Sequence, residues 1–460
     1  MTFYRKTYRV DIELKSPLAI GSGENASTDS DVIVDSTGKP FIPASSLAGV
    51  LRSYVAQTSG TPTANAVFGF IPNIRKEKGK EKKQEPVYVE RECLVRVYDG
   101  LYASGNNDFF IANRDMVALK NKVGIDGAKF DMQAVETGAQ FTAYIEILQR
   151  FFEDVLDGTD KTFKVDVVKE IEAAISALAS DKIRLGSRTS RGYGSVSVEC
   201  RSIEFTDSQK WLDFDMMSTE IWNAETIEPL TPDDSHKLTL GLELQGGISI
   251  REYTTEPSTE KETMPDYMQL SLHRLKADGK PTPVIPGTSW AGAIRDRFLS
   301  FSDKETMEAL FGYVHQKSVD GDDKVMKSVI TFSESILTGG VWKTTTRNAI
   351  DRFSGGTKDG ALYTERTYYG GNTELVLSFT KAPDEKQITL LSACLADLHN
   401  GFLAVGGLTS VGRGLFKIVS VNGNELEEED KSENRIFDVL NHTLRNTFKI
   451  TSAKEDDDNA

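Results

Sequence analysis

The chain has 460 residues, a formal net charge of −15 at pH 7 and a sequence pI near 5.0. This length suffices for roughly two to four domains. The acidic balance argues weakly against a general nucleic-acid coat, which is usually basic, but it leaves room for a local basic groove. The three cysteines, Cys93, Cys200 and Cys394, show no Cys-x-x-Cys spacing, so we expect a reduced, cytoplasmic protein without structural zinc. We expect neither a signal peptide nor a membrane span.

Each half of the chain opens on a strand of strict apolar alternation. The apolar positions are Tyr8, Val10, Ile12 and Leu14 in the first half and Leu238, Leu240, Leu242 and Leu244 in the second. A period of two predicts a sheet strand with one buried face and one exposed face.

A proline-serine segment follows in each half, where residues 41–52 return as residues 284–295. Polar residues just after a proline turn are typical helix N-caps. The expected N-caps are Ser45 or Ser46 in the first half and Thr288 or Ser289 in the second. A Phe-Gly pair at residues 68–69 and again at 311–312 is expected to close each helical region.

The later elements also come in pairs. Residues 123–127 and 349–352 each precede a glycine-rich polar stretch, which predicts a hairpin that leaves the sheet and returns to it. A helix is expected over residues 167–178 and over 390–398. A glycine loop, residues 186–194, returns as residues 406–414 before a final strand. Unrelated motifs that recur in the same order indicate a duplicated domain.

This plan predicts a mixed α+β fold with two similar domains. We place the domains at residues 1–205 and 236–425, joined by a polar, acidic linker over 206–235. Residues 426–460 are expected to form a C-terminal extension with an acidic, disordered tail.

Two basic features are candidates for phosphate contacts. Glycine loops allow positive φ and let successive backbone N–H groups face an anion, and Arg188, Arg191 and Arg413 would add charge. Spacing alone favours the simpler alternative, a tight turn that leads into the last strand. Arg52 and Arg295 lie two helical turns beyond the proline, where each is either a phosphate contact or an ordinary surface arginine.

Loop carboxylates are the candidates for catalysis. Asp29, Asp31 and Asp35 lie between the first strand and the proline segment, and Asp266 lies in the corresponding loop of the second half. Such a carboxylate can hold a divalent ion or position a water or a 2′-hydroxyl group. The alternative is strong, because aspartate is common in turns. The five histidines show no metal-ligand spacing and no repeated nucleophile arrangement, so a histidine-based site is not expected.

Together these motifs resemble the RAMP superfamily of CRISPR proteins. The carrying features, in order, are a strand, Ile-Pro-(Ala/Gly)-(Ser/Thr)-Ser-x-x-Gly-x-x-Arg, Phe-Gly, an Ile-Asp hairpin and Gly-x-x-Thr-Ser-x-Gly-x-Gly. The chain is similar, more narrowly, to the backbone subunits of type III effector complexes. Two such units in one chain look like the fused backbone proteins of type III-D-like complexes.

The resemblance implies two tandem modified RRM-like domains (ferredoxin-like, βαββαβ) with protruding thumb hairpins. It implies partners, namely a CRISPR guide RNA, single-stranded target RNA and other effector subunits, and a cofactor, Mg²⁺ or another divalent cation. Each thumb would wedge the guide–target duplex, and a loop aspartate would cut the target RNA beside it. In this sequence the thumb residues would be Ile125, Asp126, Ile350, Asp351 and Arg352.

The resemblance also assigns the site residues. The catalytic aspartates, which would also hold the metal, would be Asp29 and Asp266. Residues 29–32 match the family pattern best, and the match at Asp266 is poorer because Asp266 lies farther from Pro286 than Asp29 lies from Pro43. Asp31 is an alternative to Asp29. The RNA contacts would be Ser45, Ser46, Arg52, Arg188, Arg191, Thr288, Ser289, Arg295 and Arg413. The hypothesis is therefore an endoribonuclease subunit with two cutting sites. The alternatives are a non-catalytic RNA-binding scaffold and a guide-processing nuclease, the latter disfavoured because no histidine repeats.

Overall fold

The computed structural model describes residues 3–22, 28–70, 92–103, 111–120, 123–155, 162–226, 233–252, 265–272, 281–315, 324–427 and 433–450. Two compact units divide the chain. Unit 1 is Met1–Arg114, Asp131–Ser187 and Gly194–Asp233, and unit 2 is Asp115–Phe130, Arg188–Tyr193 and Asp234–Ala460. Within the described part of the chain, no helix is both long and apolar enough to cross a bilayer.

Helices and strands mix throughout, as expected for an α+β protein. The first part of the chain contains β1 (Arg5–Leu14), α1 (Ala44–Thr58), α2 (Thr61–Phe68), β2 (Val95–Val97), β3 (Leu101–Tyr102), β4 (Ile111–Lys120), β5 (Val123–Val135), β6 (Gln140–Ile147), β7 (Phe151–Val155), β8 (Thr162–Asp166), α3 (Val167–Ala179), β9 (Val196–Phe205), α4 (Ser208–Leu212) and α5 (Thr219–Ala224).

The second part repeats this order with more short strands. It contains β10 (Lys237–Gln245), β11 (Gly247–Ile248), β12 (Arg251–Glu252), β13 (Tyr267–Gln269), β14 (Ser271–Leu272), β15 (Thr282–Ile285), α6 (Gly287–Phe301), α7 (Lys304–Phe311), β16 (Tyr313–His315), β17 (Lys324–Met326), β18 (Ile330–Phe332), β19 (Ser335–Ile336), β20 (Val341–Arg347), β21 (Tyr363–Tyr369), β22 (Asn372–Phe379), α8 (Glu385–Asn400), β23 (Leu415–Val421), β24 (Asn424–Glu425) and α9 (Glu433–Thr447).

The main sheets of the two units have the same strand order. In unit 1, β1 lies between β6 and β9 and is antiparallel to both, while β2 extends the sheet beyond β6. In unit 2, β10 lies between β22 and β23, and β18 extends the sheet beyond β22. The opening strand of each half is therefore central, and the strand that follows each glycine loop pairs beside it.

The predicted alternation of the opening strands is confirmed. The inward positions of β1 are at most 1% exposed and those of β10 at most 3%. Helices α1 and α3 pack on the buried face of the first sheet, and α6 and α8 on that of the second. Burying one such apolar side chain is worth roughly 1.5–3 kcal/mol, so these faces fix the strand register.

The predicted N-caps of the two repeated helices are wrong. Pro43 and Pro286 are the N-cap residues, and α1 and α6 begin directly after them. The Pro43 carbonyl accepts the N–H groups of Ser46 and Leu47, so the serines already belong to the first helical turn. Among the described residues, no side chain caps either helix start. The predicted Phe-Gly closures are confirmed, since α2 and α7 end at their phenylalanines with glycines at positive φ.

Two segments expected to lie outside the cores are partly ordered. The predicted linker contains α4 and α5, and Trp222 is fully buried with its ring 6.0 Å from that of Tyr144. Residues 433–447 form α9, whose Ile436 and Leu440 are 0% exposed in the unit 2 core. The acidic tail, residues 451–460, lies outside the described residues.

Both predicted hairpins occur, but the two predicted segments lie at different places in them, within a strand in the first half and in the connecting loop in the second. In the first half, β4 pairs with β5, and Ile125 and Asp126 lie within β5 rather than ahead of a polar loop. The side chains of residues 115–129 lie outside the description. In the second half, β20 and β21 form a long hairpin, and residues 348–362 connect its strands.

Candidate functional site

Asp29 and Asp266 occupy equivalent places in the two halves. Asp29 is exposed, and its Oδ2 accepts the backbone N–H of Asp131 on β5 at 3.2 Å. Asp266 is exposed, and its Oδ2 accepts the backbone N–H of Thr364 on β21 at 2.7 Å. Each carboxylate therefore joins its loop to the strand that returns from the hairpin.

The reciprocal contacts of the two aspartates differ. The Asp29 N–H donates to the side chain of Asp131, at 3.3 Å from Oδ1. The Asp266 N–H donates to the backbone carbonyl of Thr364 at 2.8 Å. The first half consequently brings two carboxylates together, whereas the second has one carboxylate and a threonine. Sequence reasoning missed Asp131, which lies 102 residues from Asp29 along the chain.

The other loop aspartates have structural surroundings. Asp31 is 8% exposed, and its carboxylate accepts the hydroxyl of Thr28. Asp35 accepts both the hydroxyl and the N–H of Thr37 at 2.7 Å, and these hydrogen bonds lower the pKa of the Asp35 carboxyl. Both geometries suit turn-forming aspartates. Of Asp29 and its alternative Asp31, Asp29 is the residue that is exposed to solvent.

The start of α1 lines an open groove of about 390 Å³. Its walls include Ser45, Gly49 and Arg52, with Val97 on the strand side. Ser45 is exposed and Ser46 is half-buried. The Arg52 guanidinium donates to Asn65 Oδ1 on α2 at 2.7 Å, so it leans back over the helix pair at the edge of the groove.

The second proline helix repeats this arrangement. Thr288 and Ser289 are half-buried in the first turn of α6, and Arg295 is exposed. The Arg295 Nε–H donates to the Met307 sulfur on α7 at 3.1 Å. Arg52 and Arg295 therefore both lean toward the following helix.

The two glycine loops have similar backbone conformations. Each contains one 3₁₀ turn, Thr189–Arg191 or Thr409–Val411, flanked by left-handed residues at matching positions. The last glycine of each loop is obligatory, because a Cβ on Gly194 or Gly414 would lie 1.9 Å from a backbone oxygen. Several loop amides donate within the chain, including Gly194 to Pro17 and Gly414 to Gly247. The loops are thus tight turns into the last strand.

The three loop arginines differ in exposure. Arg191 is exposed, and the Arg188 guanidinium lies 4.7 Å from the Phe130 ring centroid, where partial burial lowers its pKa. Arg413 is 4% exposed, and both its terminal nitrogens bind the carboxylate of Glu365, which is 0% exposed. A buried, bidentate guanidinium has no free face for a phosphate. We therefore assign Arg413 a structural role and do not carry it forward as an RNA contact.

The tip of the β20–β21 hairpin is exposed. Asp351 accepts the backbone N–H groups of Phe353 and Ser354 at 2.9 and 2.8 Å, which lowers the pKa of its carboxyl and closes the loop. Ile350 is 68% exposed, Arg352 is also exposed, and the Phe353 side chain is fully exposed. Sequence reasoning named Ile350, Asp351 and Arg352 but missed Phe353, which no motif of the repeat marks.

The metal and histidine chemistry of the described residues is limited. Among them, no group of three or more His, Cys, Asp and Glu side chains converges on one point. Of the described histidines, His399 is buried and accepts the Ile418 N–H through Nδ1, and His442 contacts Asn446 on α9. The donor sets at Asp29–Asp131 and at Asp266 fit an ion that is bound through one or two carboxylates and keeps several waters, as Mg²⁺ often is.

Known proteins are similar to parts of this chain. A solved structure described as the cryo-EM structure of the type III-B Cmr-beta complex bound to cognate target RNA has a chain similar to this one, with a TM-score of 0.31 and 20% sequence identity. That match covers 44% of this chain and spans 61% of the other. No curated protein sequence matches. A family model described as the RAMP superfamily matches residues 11–197 and 271–417, which together make up most of the chain and lie in both halves. This protein belongs to the RAMP superfamily.

Proposed function

We propose that this chain is a tandem backbone subunit of a type III CRISPR effector, of III-D-like type, which binds guide RNA and cuts complementary target RNA at two sites. The observation that carries the proposal is the equivalent placement of Asp29 and Asp266, each exposed and each clipped to the strand that returns from a hairpin. A family model that matches both halves supports it. The partners would be guide RNA, target RNA and other effector subunits, in the cytoplasm.

Each half would be a modified RRM-like domain with a thumb. The shared strand order of the two main sheets supports this assignment. In the second half the thumb would be the β20–β21 hairpin, with Phe353 as an apolar wedge that unstacks a base. Apolar side chains inserted between bases can separate them at a cost of about a few kcal/mol per step. In the first half the thumb would be the β4–β5 hairpin.

Guide RNA would be held through its phosphates without regard to sequence. Arg52, Arg191 and Arg295 would supply charge, with Arg188 beside its aromatic partner. The serine and threonine hydroxyls of the first helical turns would add hydrogen bonds. Such contacts fix register on the RNA, while base pairing to the guide selects the target.

The proposed reaction is attack by an RNA 2′-hydroxyl on the adjacent phosphorus. The 2′-oxygen–phosphorus bond forms as the phosphorus–5′-oxygen bond breaks, the 2′-hydroxyl loses its proton and the leaving 5′-oxygen gains one, which gives a 2′,3′-cyclic phosphate. A thumb that rotates one nucleotide would help to align these atoms. Asp29, with Asp131 beside it, and Asp266 would each hold a divalent ion, which supplies charge stabilisation to the phosphoryl oxygens when bound.

A non-catalytic scaffold is the second candidate. It is favoured by the absence, within the described residues, of any convergence of three or more potential metal ligands. The experiment that separates the two uses the complex assembled with guide RNA and end-labelled complementary RNA. Metal-dependent cuts that end in 2′,3′-cyclic phosphate, lost with EDTA, support cleavage. An intact target with tight guide binding supports the scaffold, and a chain that binds neither guide nor effector subunits contradicts both.

A further inference from the structure

An aromatic–arginine cluster, made of Arg251, Tyr267 and Tyr363, lies next to Asp266 in unit 2. The Tyr267 and Tyr363 rings stack with their centroids 5.9 Å apart and their planes 25° apart. The Arg251 guanidinium lies 4.2 Å from the centroid of the Tyr267 ring. Arg251 is exposed and both tyrosines are half-buried, so this cluster reaches the surface of the protein.

The short sheet explains why these side chains meet. β13 runs parallel to β21 with Tyr267 opposite Glu365, and Tyr363 lies two residues before Glu365 on the same face. β12 pairs with β13 so that Arg251 lies opposite Gln269, two residues after Tyr267. All three members of the cluster therefore project from one face of this sheet.

The charge around the cluster suits an anion. Glu365 is neutralised by buried Arg413 and lies 3.6 Å from Arg347, whose side chain is 40% exposed. Arg251 and Arg347 thus place two guanidinium groups beside the tyrosine rings, and the exposed Asp266 carboxylate is the negative charge next to them. Proteins that bind single-stranded nucleic acid combine an aromatic ring, on which a base stacks, with guanidinium groups, which hold a neighbouring phosphate.

We propose that Arg251, Tyr267 and Tyr363 form a stacking platform for an unpaired RNA base next to Asp266. This inference rests on the proposed function, because it names how that site holds its nucleotide. Tyr267 directly follows Asp266, and Tyr363 directly precedes Thr364, whose backbone N–H donates to the Asp266 carboxylate at 2.7 Å. Both rings therefore belong to chain neighbours of the two residues that join at this carboxylate, at the edge where the strands of the short sheet begin. Stacking of this kind accepts any base.

The first half offers an internal comparison. Ser30 follows Asp29 at the place where Tyr267 follows Asp266. Phe130, one residue before the strand residue that binds Asp29, takes the place of Tyr363, and the Arg188 guanidinium lies 4.7 Å from its ring centroid. The first half therefore has one ring with a guanidinium, whereas the stacked pair of tyrosine rings is a property of the second site. A base beside the Asp29-dependent cut does not meet the Tyr267 ring.

The test uses the guide-loaded complex and target RNA in which a single 2-aminopurine is moved across positions that flank each cut. Stacking quenches the fluorescence of this base. We expect strong quenching at one position beside the second cut. Tyr267→Leu and Tyr363→Leu should each strongly reduce it, because loss of one base–aromatic stack lowers the equilibrium constant for docking of the base by roughly 5- to 150-fold. Tyr267→Phe and Tyr363→Phe should retain it, and Arg251→Gln should weaken it.

Controls separate stacking from folding and from protein contact. Phe402, which is 67% exposed elsewhere in unit 2, provides Phe402→Leu as a matched variant that should keep the quenching. The proposal is overturned if no position is quenched in the wild type, if both leucine variants keep the quenching, or if Phe402→Leu loses it equally. It is also overturned if the tyrosine variants only prevent assembly with other subunits, which would make the cluster a protein contact.

The same samples distinguish this inference from the proposed function. If quenching depends on the tyrosines but Asp266→Ala leaves every cut intact, the platform stands and the cleavage assignment fails. If Asp266→Ala removes the second cut but the tyrosine variants leave quenching and cutting unchanged, the cleavage assignment stands and the platform fails.

Discussion

The buried ion pair between Arg413 and Glu365 gives a quantitative prediction about the second unit. The first half has Tyr193 at the position of Arg413 in the glycine loop. Met132 takes the position of Glu365, because each directly follows the strand residue, Asp131 or Thr364, whose backbone N–H binds the loop aspartate. The two matching positions therefore hold a buried charged pair in the second half and uncharged residues in the first.

We predict that Arg413→Tyr and Glu365→Met are each strongly destabilising, whereas the double variant is close to wild type. Arg413→Tyr leaves the Glu365 carboxylate, which is 0% exposed, with the 3.6 Å ion pair to Arg347 as its remaining cationic partner among the described residues. Removing one partner of a buried pair costs about 3–5 kcal/mol, while replacing both with uncharged residues is often neutral. For a unit of this size, that single loss lowers Tm by roughly 6–20 °C.

The assay is calorimetric unfolding of the full chain, with the four proteins of the cycle compared in one buffer. The double variant should lie within about 1 kcal/mol of wild type and should keep its RNA affinity, because Arg413 is buried. The reasoning is refuted if either single variant costs less than about 1 kcal/mol, or if the double variant is as unstable as the singles. Loss of RNA affinity in a folded double variant would mean that Arg413 contacts RNA.

Three further predictions test other contacts. Asp131→Ala should slow the Asp29-dependent cut by about 10- to 100-fold, because the loop that carries Asp29 is misplaced, while Asp131→Asn retains an accepting oxygen and most of the rate. Thr364→Ala should leave the second cut unchanged, since the backbone of Thr364 holds Asp266. Equal losses of rate in Asp131→Ala and Thr364→Ala would contradict this difference between the two sites. In native protein a thiol reagent should modify exposed Cys93 alone, because Cys200 and Cys394 are both buried and burial raises the pKa of the Cys394 thiol to about 12. Rapid reaction at Cys200 or Cys394 at pH 8 would contradict their burial. Trp222→Ala should destabilise unit 1 by about 3–5 kcal/mol in chemical unfolding, and a cost below about 1 kcal/mol would mean that the segment is a free linker.

The parts of the fold that follow from local patterns were predictable. The alternation in β1 and β10 follows from which residues share a face, so it predicted their buried sides. The Phe-Gly closures were also predictable, because a glycine at positive φ ends a helix by its own backbone freedom.

Features that depend on distant residues were not predictable. The burial of Arg413 requires Glu365, 48 residues away, and the pairing of Asp29 requires Asp131, 102 residues away. The order of the predicted linker depends on the contact of Trp222 with the first sheet. The N-cap error had a local cause, because the proline carbonyl accepts the first helical N–H groups and the helix begins before the serines.

The most direct test of the account is a map of target cuts for three variants of the chain in the assembled complex: Asp29→Ala, Asp266→Ala and both together. Equivalent placement of the two aspartates predicts that each single variant loses one cut and keeps the other, and that the double variant keeps guide and target binding but cuts at neither site. If the double variant still produces both cuts, the two aspartates are not the catalytic residues and the central claim is wrong.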